Sequence, residues 1–489
     1  MDIDFDTIPN NIRVPGAYTE VSNLLANDAI GIVPNKIIVF GQMLAAGTAT
    51  ANVPIRLLVQ GSEVGLFGRG SMLARMFATH WKNNGITEAW AVPLTDNVAG
   101  VKSVQTITVA GTATQAGTQP VYVHDDLIQV AVAVGDTAAT VAGNIEAAIL
   151  ADLDLLCTAS VAAAVVTVTA NHKGADAGLL DIRTIKNPGD ANVQGLTFTV
   201  ATTTAGAGNP ILTTAIANLG TVWFNHVTAP YTDATSMGAI DSEIDRRWGP
   251  TVQLETHAYG AMGGTVGALC DFGDTMNTMD PTTMGFSKSP TPGFIWAAEL
   301  AAVEAYYRAI DPIRPTRGLV LQGVSPPAIA DRFTWDEQQQ LLSNGISTFD
   351  VDGNGNVIIQ RDISMYRTNV AGQPDISYLD VGTILGLIYI RYTERAWVAQ
   401  RFQRFKLGDD GSVLGPGSAT TTPSRIKASI MNLAIQNWIG FVIGGTVQDL
   451  AKNSIYQRNS GDPTRVDSIL GPKLLSALYI YANQIQFTQ

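Results

Sequence analysis

The sequence predicts an α/β and α+β multidomain chain. An α/β middle domain is interrupted by a small inserted β-rich α+β domain and followed by a C-terminal α+β domain. Three observations carry this reading. At 489 residues the chain is long enough for about two to four domains with full cores. Apolar strand-like runs alternate with helical periodicity on both sides of a stretch of different texture, poor in charge and rich in Thr, Ala and Val. Both ends read as extended segments rather than closed elements.

The elements follow in order. Residues 1–25 read as an extended arm: Pro9, Pro15 and Gly16 break helix, and Val14, Ala17, Tyr18 and Val21 supply its apolar positions. Residues 26–99 open the middle domain, with strands at 36–41 and 89–93. A helix at 71–84 lies between them, apolar at Leu73, Met76, Phe77 and Trp81 and stopped by Gly85. In the insertion, 100–209, only thirteen of 110 residues are charged, which marks it off from its flanks. It carries short alternating strands at 104–109, 127–134, 165–169 and 196–201, and a helix at 137–152 capped by Asp136. The α/β texture resumes over 210–330, with helices at 213–219, 236–248 and 296–309 and a strand at 221–224. The C-terminal domain, 331–473, holds a hairpin, a long helix at 381–402, a glycine-rich loop at 408–418 and a charge-free helix ended by Gly444-Gly445.

The last segment, 474–489, is a second arm. Residues 479–489 alternate apolar and polar with the period of a half-buried strand and carry no charge. Tyr479, Ile485 and Phe487 share one parity, with Ile480 on the other. Free termini fray, so such patterning implies that the segment is tied down, either on its own chain or on a neighbouring copy. Both possibilities are open on the ends alone.

Charged residues make up 15% of the chain, against about 25% in an average soluble domain. Extensive burial against partners accounts for this, as does an Ala/Thr-rich β-protein. Cys157 and Cys270 sit in apolar surroundings and read as buried thiols rather than a disulfide. The acidic opening, Met1 to Asp6, shows no secretory signal. The uncharged run 428–447 approaches bilayer length, but Ser429, Asn432, Gln436 and Asn437 fall along one helical face. It therefore reads as an amphipathic helix packed on protein, with no membrane insertion.

The net charge of −12 is uneven: eleven Lys/Arg and six acids from Leu385 onward give +5, leaving −17 elsewhere. Arg391, Arg395, Arg401, Arg404 and Lys406 concentrate on or just after the long helix. With a pI near 4.8 and no sustained basic run, nucleic acid is not the expected partner. An acidic protein surface fits the patch, and so does an ordinary solvated helix face.

The motifs that suggest chemistry dissolve on inspection. Asp350 to Asn356 matches the start of a calcium loop, but the twelfth position is Arg361 and the flanks alternate as strands, so a hairpin turn is predicted. The glycine run 260–267 lacks the Lys-Ser/Thr of a phosphate loop and reads as tight packing. The five histidines show no metal spacing, and there is neither a Gly-x-Ser-x-Gly elbow nor a Cys-x-x-Cys. No enzyme and no cofactor are expected.

An ordered set of short motifs remains. Asp311-Pro312-Ile313-Arg314-Pro315 is followed by Arg332-Phe333-Thr334, Leu341-Leu342-Ser343-Asn344-Gly345-Ile346, and Ile359 to Tyr366. Then come Asp375 to Val381, Lys406-Leu407-Gly408-Asp409-Asp410-Gly411, Asp462-Pro463-Thr464-Arg465-Val466-Asp467 and Ile485-Gln486-Phe487. This succession, with Asn11 to Tyr18 at the start, resembles the contractile tail sheath protein of Mu-like bacteriophages. The resemblance is strongest from 311 onward and weakest across the insertion. One departure is Gly444-Gly445-Thr446-Val447, where that family leads one to expect acidic and aromatic residues.

The resemblance implies a structural subunit that stacks as hexameric rings in a helical array around a tail tube protein. It implies further partners in baseplate and tail terminator proteins, assembly in the host bacterial cytoplasm, and a place in the virion. It also implies that both arms add strands to the C-terminal sheets of neighbouring copies, with contact residues Val14, Ala17, Tyr18, Val21, Tyr479, Ile480, Ile485 and Phe487. Arg391, Arg395, Arg401, Arg404 and Lys406 are then assigned to the face toward the tube. Contraction would drive the tube through the host envelope. A pyocin-like injection particle would use the same kind of subunit, and a β-rich surface adhesin is the more distant alternative.

Overall fold

The computed structural model describes residues 14–17, 19, 33–412 and 419–488. The chain separates into two compact units. The larger contains Pro34–Tyr389, Gly440–Gly444 and Lys473–Gln489, and the smaller contains Ile390–Ile439 and Gly445–Pro472. Residues 331–389, read from sequence as part of the C-terminal domain, thus pack with the larger unit.

The larger unit is built on a six-stranded sheet. Strand Lys36–Gln42 runs parallel between Glu88–Leu94 and His226–Thr228, and His257–Gly263 and Thr282–Phe286 extend the sheet in parallel beyond the latter. The two-residue strand Ile55–Arg56 closes the far edge antiparallel. A parallel sheet covered on both faces needs apolar residues at nearly every position, and Ile37 to Gln42 are all buried. The expected strand at 221–224 is not formed. Pairing with Ile37 starts at His226, because residues 219–225 are the loop that lifts the chain from helix Thr213–Ala217 into the sheet.

Helix Met72–Asn83 begins where its sequence signal lies: the Ser71 hydroxyl accepts the Ala74 N–H. It packs against helix Gly293–Ile310, which also lies on strand His257–Gly263. Helix Gly293–Ile310 is buried at almost every position from Phe294 to Ala305. Helix Ala234–Trp248 is capped by Asp233, which accepts from Ser236. The hairpin Thr348–Val351 and Val357–Arg361 forms as predicted, and Asp352 accepts the N–H groups of Asn354 and Asn356 across its tip.

Residues 102–204 form two antiparallel sheets around helix Ala138–Ala151. One sheet has Leu196–Thr204, Lys102–Gly111, Val165–Lys173 and Cys157–Ala162 as neighbours in that order, and the other joins Asp126–Val132, Gly117–Val123 and Ile182–Arg183. Their inward residues, among them Ile107, Val121, Val141, Ile145 and Val166, make an apolar core of their own. Thr137, not Asp136, caps the helix. Its hydroxyl accepts from Thr140, while the Asp136 carboxylate turns back to the Ala133 N–H.

In the smaller unit, helix Val381–Phe402 enters with the predicted bounds. The charge-free helix ends earlier than expected. Pro423–Leu433 passes into a π-turn, Ala434–Trp438, after which Ile439 is extended. Its apolar face (Ile430, Leu433, Ala434, Trp438) is buried, and the Trp438 indole donates to Thr393 at 2.8 Å. Trp397 likewise donates to Ser429 at 2.9 Å. The glycine pair precedes a further short helix, Val447–Lys452, which Thr446 and Asp449 cap reciprocally. The unit ends in a two-stranded hairpin, Ile455–Arg458 with Val466–Ile469. No helix among the described residues is long and apolar enough to cross a membrane.

Candidate functional site

The region that stands out chemically is the path of the C-terminal segment over the larger unit. It begins as a short ladder: the Gly444 N–H donates to the Lys473 carbonyl at 2.8 Å and the Leu475 N–H to Val442 at 3.1 Å. Val442 and Ile443 are fully buried behind it. Four residues on, Tyr479 is held at three places. Its hydroxyl donates to Asp362 Oδ1 at 3.0 Å, its carbonyl accepts from Arg317 at 2.8 Å, and the Arg361 guanidinium lies 4.7 Å above its ring.

The carboxylate that receives the tyrosine is itself fixed from the interior. Arg308, four residues after Glu304 on helix Gly293–Ile310, donates Nε to Glu304 at 2.8 Å and an Nη2 hydrogen to Asp362. Its remaining edge serves the carbonyls of Pro312 and Arg314. Glu304 also accepts from the Thr316 hydroxyl at 2.6 Å. Arg308, Glu304 and Asp362 are all nearly inaccessible. Burial pushes the Glu304 carboxyl up and opposes charge on Arg308. The two carboxylates more than offset that opposition, so the guanidinium is held charged. Burial and then the charge of Asp362 raise the Tyr479 phenol, keeping it a donor.

Beyond Tyr479 the surroundings change abruptly. Ile480 is 76% exposed, Ile485 82% and Phe487 81%. No strand is assigned to residues 479–488. Of the three residues expected on one face, Tyr479 has its ring engaged by its own subunit, while Ile485 and Phe487 are exposed. At the other end, Val14 and Ala17 are exposed, and Tyr18 and Val21 lie outside the described residues.

In the smaller unit, hairpin Ile455–Arg458 and Val466–Ile469 makes a sheet of two strands among the described residues. Ile455 and Ile469 face one another across it and are 56% and 63% exposed. A two-stranded hairpin with an exposed apolar pair presents open edges. The basic residues divide. Arg391, Arg395 and Arg401 are half-buried on helix Val381–Phe402, Arg401 lying 3.8 Å over the Trp397 ring, whereas Arg404 and Lys406 are exposed. Beside them, burial raises the Glu394 carboxyl against the pull of Arg395.

The chemical decoys have structural roles. Around the glycine run, a side chain at Gly263 would strike the Phe286 ring and one at Gly260 would come within 3.0 Å of the Ala229 carbonyl, so close packing explains both. His257 meets Asp280 through Nδ1 and lies 2.9 Å from the Thr282 hydroxyl through Nε2, an order that resembles a hydrolase triad. All three are at most 1% exposed, and they tie adjoining strands together within the core. No three His, Cys, Asp or Glu side chains among the described residues are arranged to hold a metal ion. Both cysteines are buried and unpaired.

Sequence reasoning missed the Arg308 cluster. Glu304 and Arg308 are visible as an i, i+4 pair on an otherwise apolar helix, but their link to Asp362 and Tyr479 spans more than fifty residues in each case.

Residues 205–365 match the family described as the phage tail sheath protein central domain. The chain is 35% identical over 490 residues to the Mu-like prophage FluMu tail sheath protein of Haemophilus influenzae, covering 100% of both. Among solved structures it is similar to the sheath tail protein of Desulfitobacterium hafniense, with a TM-score of 0.47, 12% identity, and 94% and 100% of the two chains covered. It is also similar to the PVC sheath complex of an extracellular contractile injection system in its contracted state, with a TM-score of 0.48, 12% identity, and 98% of each chain covered.

Proposed function

The chain belongs to the phage tail sheath family, and from that premise we propose that it polymerises as stacked hexameric rings around a tail tube, joined by exchanged terminal strands. The observation that carries this reading is the change at Tyr479. Up to that residue the C-terminal segment is held by its own subunit, and after it come exposed apolar residues with strand alternation. Exposure of Ile480, Ile485 and Phe487 on an isolated terminus is unfavourable, and a sheet edge on another copy relieves it.

The open hairpin at 455–458 and 466–469 is the receiving edge in this proposal. Each main-chain hydrogen bond contributes about 1 kcal/mol net, so cohesion needs several bonds together with burial of the apolar face. Donor and acceptor are different surfaces of one chain. Such heterologous contacts propagate, as rings where the rotation closes and as helical stacks where it does not. The N-terminal residues Val14, Ala17, Tyr18 and Val21 supply the second exchanged strand.

The basic residues Arg391, Arg395, Arg401, Arg404 and Lys406 face the inner tube. Charge attachment suits a contact that has to release, because it is screened by salt and contributes less per area than apolar packing. In the extended state interface remains unburied. Rings that rotate and compact at a signal from the baseplate bury it, and the tube is driven through the host envelope without nucleotide hydrolysis.

Negative-stain microscopy of purified protein tests the reading. Full-length chain forms striated hollow cylinders, and a chain lacking residues 480–489 stays as folded subunits. Cylinders from the shortened chain refute strand exchange.

A further inference from the structure

We infer that Tyr479 is the fixed point through which a pull on the C-terminal segment enters the subunit. The inference rests on the strand-exchange reading, since only a segment gripped by another copy is pulled. Residues 478 and 480 on either side are 75% and 76% exposed, so the hold is concentrated on one residue.

That residue is gripped at its hydroxyl, its carbonyl and its ring, and the holders come from two stretches of the chain. Arg317 lies seven residues beyond helix Gly293–Ile310, Arg361 ends the strand Val357–Arg361, and Asp362 is the next residue. Arg361 pairs with Asp380 at 3.1 Å, and Asp362 leads inward. Through Arg308 and Glu304 it is joined to helix Gly293–Ile310, the most deeply buried helix of this unit. Force applied beyond Tyr479 thus passes to a core helix in two steps, both made of charge-assisted hydrogen bonds.

Without the tyrosine, the same pull would fall on the end of the ladder between 473–475 and 442–444, where hydrogen bonds are loaded one after another and peel. With it, the ladder bears load only after the anchor has failed. The geometry divides the C-terminal segment into a fixed part, 473–479, and a part free to exchange, 480–489. Tyr479 is a positioning residue in this account, acting on the assembly through the strand that follows it.

The test uses the full-length chain with Tyr479→Phe, Tyr479→Ala and, as a control at an exposed neighbour, Leu478→Ala. Hydrogen exchange of the isolated subunit is followed by urea resistance of assembled cylinders, scored by microscopy. Tyr479→Phe, which keeps the ring and loses only the hydroxyl, raises exchange of the ladder amides Gly444 and Leu475 by about tenfold, the equivalent of one charge-assisted bond. Tyr479→Ala raises it further, helix Gly293–Ile310 keeps its protection in both, and their cylinders fall apart at lower urea than the parent or the Leu478 control. Unchanged protection of the Gly444 and Leu475 amides in Tyr479→Ala overturns the anchor. Lost protection with cylinders as resistant as the parent overturns its load-bearing role. Failure of strand exchange itself shows separately, as cylinders from a chain without residues 480–489.

Discussion

Arg308 and Asp362, 54 residues apart in sequence, form an ion pair in the interior of the larger unit, the first 4% and the second 0% exposed. The guanidinium has no route to water, so its charge depends on the carboxylates around it. This pair links the C-terminal segment to the core, and the stability of the unit should respond to it directly.

Asp362→Ala leaves Arg308 with Glu304 as its remaining carboxylate partner in the cluster and is expected to cost about 3 kcal/mol or somewhat more. Urea unfolding followed by tryptophan fluorescence measures it. A loss below about 0.5 kcal/mol, the scale of ordinary surface substitutions, contradicts the assignment.

Glu299 gives a pH signature. It is buried in helix Gly293–Ile310 beside the Asn83 amide, and burial pushes its carboxyl from an ordinary 4.5 up to about 8. Below pH 4.5 the folded and unfolded chains both hold the proton. As pH rises from there toward 8 the unfolded chain releases it first, so this group lowers stability progressively, by a few kcal/mol at most, and then levels off. Glu299→Gln removes the effect. Unfolding curves between pH 5 and 9 should show the parent falling relative to the variant, and parallel curves contradict a protonated Glu299.

Much of this fold was legible because its signals are local. Ser71 caps its helix, the Asp352 turn closes its hairpin, and the periodicity of 381–402 gives that helix its bounds. What was misread depends on distant partners. His226 starts a strand because His257 and Ile37 lie beside it in register, and two buried histidines carry no hydropathy signal. The helix over Pro423–Leu433 leaves its track through a π-turn that no glycine announces. Ile485 and Phe487 are exposed together with every other residue from 480 to 488, so the alternation read from sequence has no counterpart in burial within one subunit, and the separation of Tyr479 from them rests on Asp362, 117 residues away.

Ile469→Asp tests the receiving edge. The residue is 63% exposed and opposite Ile455, so the folded subunit should be within about 0.5 kcal/mol of the parent. Assembly should fail, because a strand added there would bring its apolar face against a carboxylate. Cylinders of normal length and number contradict the role of this hairpin.

Arg391→Glu with Arg395→Glu tests the tube-facing assignment. Co-sedimentation with assembled tubes should drop sharply for the double variant, and raising salt should weaken the parent in the same direction. Unimpaired loading on tubes refutes the assignment. Circular dichroism of the isolated variant distinguishes this from misfolding, since both arginines are half-buried.

The most direct measurement is a cryo-electron microscopy map of the assembled polymer at side-chain resolution, traced from Tyr479 to the end. The account predicts continuous density that leaves its own subunit after Tyr479 and runs as a strand beside residues 455–458 or 466–469 of another copy. Density in which residues 480–487 turn back and pack on the subunit they belong to contradicts it.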